Sequence, residues 1–486
     1  MNKPIRRVSF IVAVLFCTLL FSTTWIQFVT AKSLDARPDN RRTLLESYSR
    51  ERGAILVAGS PIAKSVPSKD ELKFLRTYPK AKLYSQVTGY YSFTYGAGGG
   101  LEGAADSLLS GQSDKLFYGR VIDMVTGKAP SGASLELTIN PKAQEAADKA
   151  LGDQRGAVVA LDPRTGAILA MVSHPQYDPS TLASHNLKSV RAAWKSLNAA
   201  DSGNPMVNRA IGGDLYPPGS TFKLVTAAAA LSSGKFTEES QIPGPATLPL
   251  PQSSTDLPND DRKPCGPGNK TTLTHALEIS CNTAFGSLGL ALGGEALRSQ
   301  AAKFGFGDAL RIPMRVTPSK VPAQMNKPSA AQAAIGQYDV RVTPMQMAMV
   351  SAAIANKGTV MSPYLVKDTR NSSLDVIDHT QPEQLSQAIS PDIAAALTRM
   401  MVAVVQSGTG TPAQISGIQV AGKTGTAQHL KGANPHAWFT AFAPANNPQI
   451  AVAVVVEDGG NAGSEAFGGT VAAPIARQVI EAVLKP

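Results

Sequence analysis

The hydrophobic pattern opens with one uninterrupted run. VSFIVAVLFCTLLFSTTWIQFV, residues 8–29, holds no charge and follows Lys3, Arg6 and Arg7. At ~1.5 Å per residue, a helix of that length crosses the ~30 Å hydrocarbon layer. The basic flank belongs on the cytoplasmic side, which sends everything after Lys32 outside. The expectation is a cytoplasmic tail over 1–7 and an anchor in the plasma membrane over 8–30, with Trp25 and Phe28 at the outer interface. A cleaved signal peptide is the alternative, since Val29-Thr30-Ala31 would suit cleavage; the apolar region of such a signal is ordinarily ~7–15 residues.

Beyond the anchor, residues 32 to about 120 are Gly-rich and irregular in period, and GKAPSGAS at 127–134 reads as a turn-rich connector. Asn140-Pro141 before KAQEAADKAL predicts an N-cap, a proline at the first helical position and a helix. RGAVVALDPRTGAILAMVS gives two apolar runs about a turn at 162–166, the pattern of a β-hairpin. IQVAG at 418–422, HAWFTAFAP from His436 and QIAVAVVVE from Gln449 predict further strands. Ala-rich helical stretches such as MQMAMVSAAIANKG lie between the two strand sets, and 471–484 predicts a terminal helix. Strands at both ends of a region with helices between them imply an α/β sandwich whose sheet joins segments far apart in sequence. No internal repeat is apparent.

Composition adds bounds. The chain has 486 residues, 43% hydrophobic and 17% charged, which fits two or three globular domains and argues against bulk disorder. A net charge of +10 suits work beside anionic lipid or wall polymers. No run of five basic residues occurs and aromatics reach only 6%, so nucleic acid is not expected as a partner. Of three cysteines, Cys17 falls in the anchor, while Cys265 and Cys281 lie outside, 16 apart. Export permits a disulfide between them; two buried thiols are the alternative, and the sequence leaves the choice open.

Candidate chemistry centres on YPPGSTFKLVTAAAALSSGK. It holds Ser-x-x-Lys twice, at Ser220/Lys223 and Ser232/Lys235. Positions i and i+3 share a helix face, so a serine can pass its proton to a neutral lysine one turn on. Pro217-Pro218-Gly219 bars helix upstream and LVTAAAAL favours it downstream, which sets Ser220 at a helix N-terminus with a free backbone N–H. Ser232 ends the same helix and Gly234 splits it from Lys235, so the second pair reads as a structural turn. Ser-x-Asn occurs four times, and only Ser280/Asn282 follows Ser220. Lys-Thr-Gly occurs once, at Lys423-Thr424-Gly425, extended by Thr426, on a strand candidate. Gly425 would leave a strand edge open to substrate. Each motif alone is weak, but their order, with spacings of 60 and 143 residues, is specific.

With that set in order, the chain resembles a class B penicillin-binding protein, a monofunctional cell-wall transpeptidase, nearest to the actinobacterial PbpA group. RERGAIL at 50–56 and YGAGGGLEG at 95–103 resemble segments of that family's N-terminal pedestal. The 155–179 hairpin, AIGQYDVRVTPMQMA at 334–348 and HAWFTAFAP resemble parts of its catalytic domain. The resemblance implies a pedestal, dimerisation-like domain over 32–153 and a transpeptidase domain over 154–486. The latter would be a three-layer sandwich, an antiparallel sheet between helices, of the penicillin-recognising serine-transferase type. It implies Ser220 as nucleophile, Lys223 as its base, Ser280 as proton relay and Asn282 as an orienting amide. Lys423, Thr424 and Thr426 would bind the substrate carboxylate, and the backbone N–H groups of Ser220 and Thr426 would form an oxyanion hole. Substrates would be D-Ala-D-Ala stem peptides of peptidoglycan, with β-lactams as covalent inhibitors and no cofactor or metal. A polytopic lipid-linked glycosyltransferase is the implied partner, met through the membrane helix and pedestal.

Rival readings have less support. A β-lactamase would carry the same motifs but not the anchor or pedestal. A D,D-carboxypeptidase would use water in place of the acceptor amine, and a wall-complex scaffold would need no intact motifs. About a hundred residues between anchor and hairpin leave no room for a glycosyltransferase domain. Gly98-x-Gly100-x-x-Gly103 matches the dinucleotide fingerprint, but no strand is expected before it and no helix after it. The six histidines show no HExxH and no close pairing, so no metal is expected.

Overall fold

The computed structural model describes residues 3–30, 48–116, 131–429 and 432–485. Outside them lie residues 1–2 of the expected tail, and 32–47 and 117–130 of the expected pedestal, including the first four residues of the connector. The apolar N-terminal run is a helix, Lys3–Trp25, continued by a wider turn over Ile26–Thr30, with no residue buried. Among the described residues it is the one helix long and apolar enough to cross a membrane.

A five-stranded sheet unites residues 156–174 with residues 421–456. Its order is Ala421–Ala427, His436–Ala443, Ile450–Val456, Gly156–Leu161 and Ile168–His174, every neighbour antiparallel. Val452, Val454, Val158 and Ala160 face one layer, where helices Pro141–Leu151 and Gly468–Leu484 pack. Ala451, Ala453, Val455, Ala157 and Val159 face the other, where helix Pro344–Ala355 crosses the sheet. Helices cover both faces, so all seven residues of Ile450–Val456 are buried and the strand reads as one apolar run. The hairpin turns at Gly166, φ +81°, where Asp162 N donates to Ala167 O. Asn140 Oδ1 caps Pro141–Leu151, accepting from Lys142 N at 2.9 Å and Ala143 N at 3.1 Å.

One strand differs from expectation. The pattern predicts it at 418–422, but Ile418 N closes a turn on Ile415 O and the strand runs over Ala421–Ala427. Its residues, AGKTGTA, carry no strand pattern; pairing with His436–Ala443 along its whole length holds it in the sheet. It is an edge strand, so its other side is left to the cleft.

The N-terminal half carries a six-stranded sheet of order Val376–His379, Val366–Arg370, Ser134–Leu137, Ile55–Val57, Ser60–Pro67 and Phe74–Thr77. Its first two strands come from the C-terminal half of the chain, with Val366–Arg370 pairing antiparallel to Ser134–Leu137. Conversely, Pro141–Leu151 belongs by packing to the five-stranded sheet. The two halves are therefore interleaved in both directions.

The polar centre of this N-terminal part joins the two segments singled out in the sequence. Glu102, fully buried, accepts from Arg52 Nε and Arg76 Nε, both at 2.6 Å. Burial pushes the Glu102 carboxyl up, but Arg76 and Arg52 outweigh it and hold the group below its ordinary range. Contrary to expectation, a strand, Gly96–Gly98, leads into the glycine fingerprint around Glu102, and a five-residue helix, Gly100–Ala104, begins within it. Its glycines serve close packing instead. A Cβ on Gly100, φ +36°, would stand 2.3 Å from Gly89 N, and the helix's own Glu102 is spent on two arginines. Glu102→Gln removes the carboxylate that pairs with buried Arg76 and one of the two on buried Arg52, which keeps Asp106 at 2.7 Å. We expect it to cost about 3–5 kcal/mol, read as a lower denaturant midpoint, whereas Glu145→Gln at the exposed Lys80 pair should cost under about 1 kcal/mol.

Candidate active site

Ser220 sits in a short 3₁₀ turn, Gly219–Phe222, and the α-helix Lys223–Ser232 begins three residues later. Proline forces this delay: Pro217 and Pro218 cannot donate, and Gly219 takes φ +52°. The turn is tied down on several sides. Gly219 N donates to Gly336 O at 3.1 Å, and Trp438 Nε1 donates to Pro217 O at 3.1 Å. Tyr216 exchanges backbone bonds with Val342, and its hydroxyl donates to buried Glu457 at 2.6 Å, which also accepts from Arg209 Nε at 2.8 Å. The second Ser-x-x-Lys pair is exposed at the far helix end, beyond reach of this site.

Lys223 is wholly buried, with Nζ 5.5 Å from the centre of the Phe285 ring. Nζ donates to Ser280 O at 2.6 Å and Asn282 Oδ1 at 2.7 Å, and reaches Ser280 Oγ at 3.3 Å. Burial lowers its pKa to about 7, with Asp260 pulling in the opposite direction. Lys423 is equally buried; its Nζ donates to Ser280 Oγ and to Thr424 O, both at 2.9 Å. Burial, and then the charge of Lys223, hold Lys423 well below its ordinary value. The neighbouring positive charge thus acts on Lys423, and desolvation alone lowers Lys223. Two buried amines converge on one hydroxyl.

Ser280 reaches that position through strain. It lies between helices Leu273–Glu278 and Asn282–Leu292 with φ +62°, a region non-glycine residues rarely adopt. The break turns Oγ toward both lysines while Asn282 begins the next helix.

A cleft runs past these groups as two cavities of about 470 and 320 Å³. Ser220, Thr426 and Asp260 line both; Ser280, Thr424 and Gly425 line the larger, and Asn282 the smaller. Lys223 and Lys423 line neither, so they act from behind the wall. Gly425 has a different use from the one expected. A Cβ there would meet Thr221 Cγ2 at 2.9 Å, Pro218 O at 3.0 Å and Trp438 Cβ at 3.0 Å, so its bareness admits the nucleophile's own turn. A Cβ on Gly219 would likewise stand 2.5 Å from Thr426 O. Sequence reasoning missed Asp260, whose Oδ1 accepts from Asn282 Nδ2 at 2.9 Å, and Thr409, whose hydroxyl meets that of Thr424 at 2.6 Å. Neither belongs to a motif.

Residues 156–481 match the penicillin binding protein transpeptidase domain. The chain belongs to this family. Residues 52–135 match the penicillin binding protein A dimerisation domain. The chain is 45% identical to the peptidoglycan D,D-transpeptidase PbpA of Mycolicibacterium smegmatis, over 100% of this chain and 99% of that one. It is also similar to penicillin-binding protein A from M. tuberculosis solved as a ceftriaxone acyl-enzyme, with TM-score 0.87 and 44% identity over 91% of this chain and 100% of that chain. The penicillin G acyl-enzyme of the same protein gives TM-score 0.85 at 44% identity, over 90% and 100%.

In this penicillin-binding protein Cys265 and Cys281 are joined by a disulfide, Cα–Cα 6.1 Å. The bridge links the segment ahead of Ser280 to the middle of its Ser-Cys-Asn motif, and Cys281 Sγ accepts from Ala284 N at 3.3 Å at the helix start. Two of the six histidines do pair: His429 and His436 stack with ring centres 4.0 Å apart, beside Asp458. Burial, then His429, push His436 down to about 4, so it is neutral. Its Nδ1 accepts Asp458 N–H at 3.1 Å, which puts the ring proton on Nε2 and leaves that ring no lone pair for a cation. Cys265→Ala, or reduction of the bridge, frees the loop that carries Asp260. We expect a loss of roughly 3 kcal/mol, seen as a lower Tm, together with slower acylation; unchanged values for both would exclude a role for the bridge.

Proposed function

We propose that this penicillin-binding protein cross-links peptidoglycan stem peptides through an acyl-enzyme on Ser220. The observation that carries the reading is the sharing of Ser280 Oγ by two buried lysine amines, one of them on Lys223, three residues after Ser220. Ser220 Oγ attacks the penultimate D-Ala carbonyl and its proton passes to Lys223, which burial has made a base near neutral pH. The Oγ–C bond forms, the C–N bond breaks, and the terminal D-Ala takes a proton relayed through Ser280. An amine of a second stem then attacks the acyl carbon, forming the cross-link as Oγ–C breaks and Ser220 recovers its proton.

The remaining roles follow the cleft. Backbone N–H groups of Ser220 and Thr426, which line both cavities, hold the developing oxyanion. Thr424 and Thr426 bind the donor's terminal carboxylate. Asn282 orients Lys223 through Oδ1. Lys423 polarises Ser280 and Thr424 from behind the wall rather than touching substrate. β-Lactams enter as mimics of the donor and leave an acyl-serine. Helix Lys3–Trp25 anchors the chain in the cell membrane as a single pass, with the catalytic half outside the cytoplasm. A polytopic lipid-linked glycosyltransferase, met through that helix and the pedestal, is the partner we assign.

A fluorescent penicillin should label the wild type and leave Ser220→Ala unlabelled, with the adduct mapped by peptide mass. Stem peptides should yield cross-linked dimers; trimmed tetrapeptides alone would identify a carboxypeptidase. The acylation rate needs neutral Lys223, so it should fall about tenfold per pH unit below about 7 and level off above it. A flat profile from pH 5 to 8 would remove Lys223 from the base role.

A further inference from the structure

The chain carries +10 overall, yet the mouth of its cleft is acidic. The side chains lining the two cavities that carry charge in neutral water are Asp256, Asp260, Asp261 and Lys263, three carboxylates against one ammonium. Among them only Asp260 lines both cavities, as do Ser220 and Thr426. Asp261 is engaged in its own loop, accepting from Lys263 N at 3.0 Å. Asp260 stays exposed and gives one oxygen, Oδ1, to Asn282; among the described residues Oδ2 accepts no hydrogen bond.

This carboxylate is fixed in place. The preceding residue, Asn259, is buried; its Nδ2 donates to Pro245 O at 3.0 Å and Lys263 O at 2.7 Å, and its Oδ1 accepts from Thr283 N at 3.0 Å. The Cys265–Cys281 bridge pins the far end of the same loop to the residue before Asn282. An anchored loop whose carboxylate has one oxygen without a donor, on a residue that lines both cavities with the nucleophile, is suited to a cation. The donor stem brings a carboxylate to this cleft. The second substrate of acyl transfer brings a primary amine, which in neutral water is an ammonium ion.

We propose that Asp260 recognises the acceptor, binding the ammonium group of the incoming stem at the mouth of the cleft and holding it beside the acyl carbonyl on Ser220. This rests on the transpeptidase reading given above. The bound ammonium releases one proton to solvent. The amine nitrogen then forms its bond to the acyl carbon while Oγ–C breaks, and its second proton passes through Ser280 to Ser220 Oγ. Asp260 therefore sets acceptor choice, in addition to fixing the amide of Asn282.

The experiment forms the acyl-enzyme from a thioester analogue of acyl-D-Ala-D-Ala and divides it between two acceptors. D-Alanine amide is an ammonium ion near neutral pH; hydroxylamine is largely uncharged. In Asp260→Asn, the ratio of aminolysis by D-alanine amide to that by hydroxylamine should fall about tenfold, the worth of one charge-assisted hydrogen bond. In the wild type, added salt should lower the same ratio, a readout that needs no variant. If the ratio holds in the variant, or holds in the wild type as salt rises, the proposal is overturned. A wild type that fails to bind fluorescent penicillin at Ser220 would instead sink the transpeptidase reading itself.

Discussion

Everything in the catalytic half answers to one electrostatic constraint: two lysine side chains end in the same dry pocket, and one serine hydroxyl lies within reach of both. Burying a single ion costs several kcal/mol even after relaxation, and a second like charge beside it adds to that. The pocket therefore favours at most one ammonium. Ser280 O, Asn282 Oδ1 and Thr424 O offset part of the cost by accepting from the amines. The surplus appears as lowered proton affinity, which lets an amine serve as a base near neutrality.

Such a pocket holds only if its walls cannot relax. Three segments distant in sequence supply the walls, and each is pinned by contacts made elsewhere. Glycines at 219, 336, 425 and 468 let four backbones nest where a single methyl would collide; a Cβ on Gly336 would stand 2.0 Å from Gly219 O, and one on Gly468 would stand 2.4 Å from Gly425 O. Trp438 and the Arg209–Glu457–Tyr216 group hold the turn before Ser220. The disulfide holds the loop opposite. Backbone strain at Ser280 is tolerated because the helices on both sides are fixed.

What was legible in the sequence was local. The Ser220 helix start, the 156–174 hairpin and the capped helix after Asn140 each announce themselves through neighbours in the chain: prolines, alternating apolar runs, an Asn-Pro pair. The motif segments became informative through their order. What was not legible depends on contacts across the fold. The strand expected to carry Lys423-Thr424-Gly425 is there, but its bounds, Ala421–Ala427, are set by pairing with His436–Ala443 and not by its apolar pattern. Asp260 and Thr409 touch motif residues through one hydrogen bond each. His429 and His436 meet because His436 pairs with Ala427 across the sheet, two residues before His429. At the glycine fingerprint near Glu102 the local pattern hides a strand that leads in and a short helix that begins within it; what occupies the site is a carboxylate from within the fingerprint.

The shared sheet of the pedestal has a mechanical consequence. Because Val366–Arg370 is stitched to Ser134–Leu137, and Pro141–Leu151 lies on the opposite unit, tilting the pedestal must carry the catalytic half with it as one lever. A catalytic half severed at residue 154 would lose that coupling and would bare the backbone of a strand that the intact chain keeps covered.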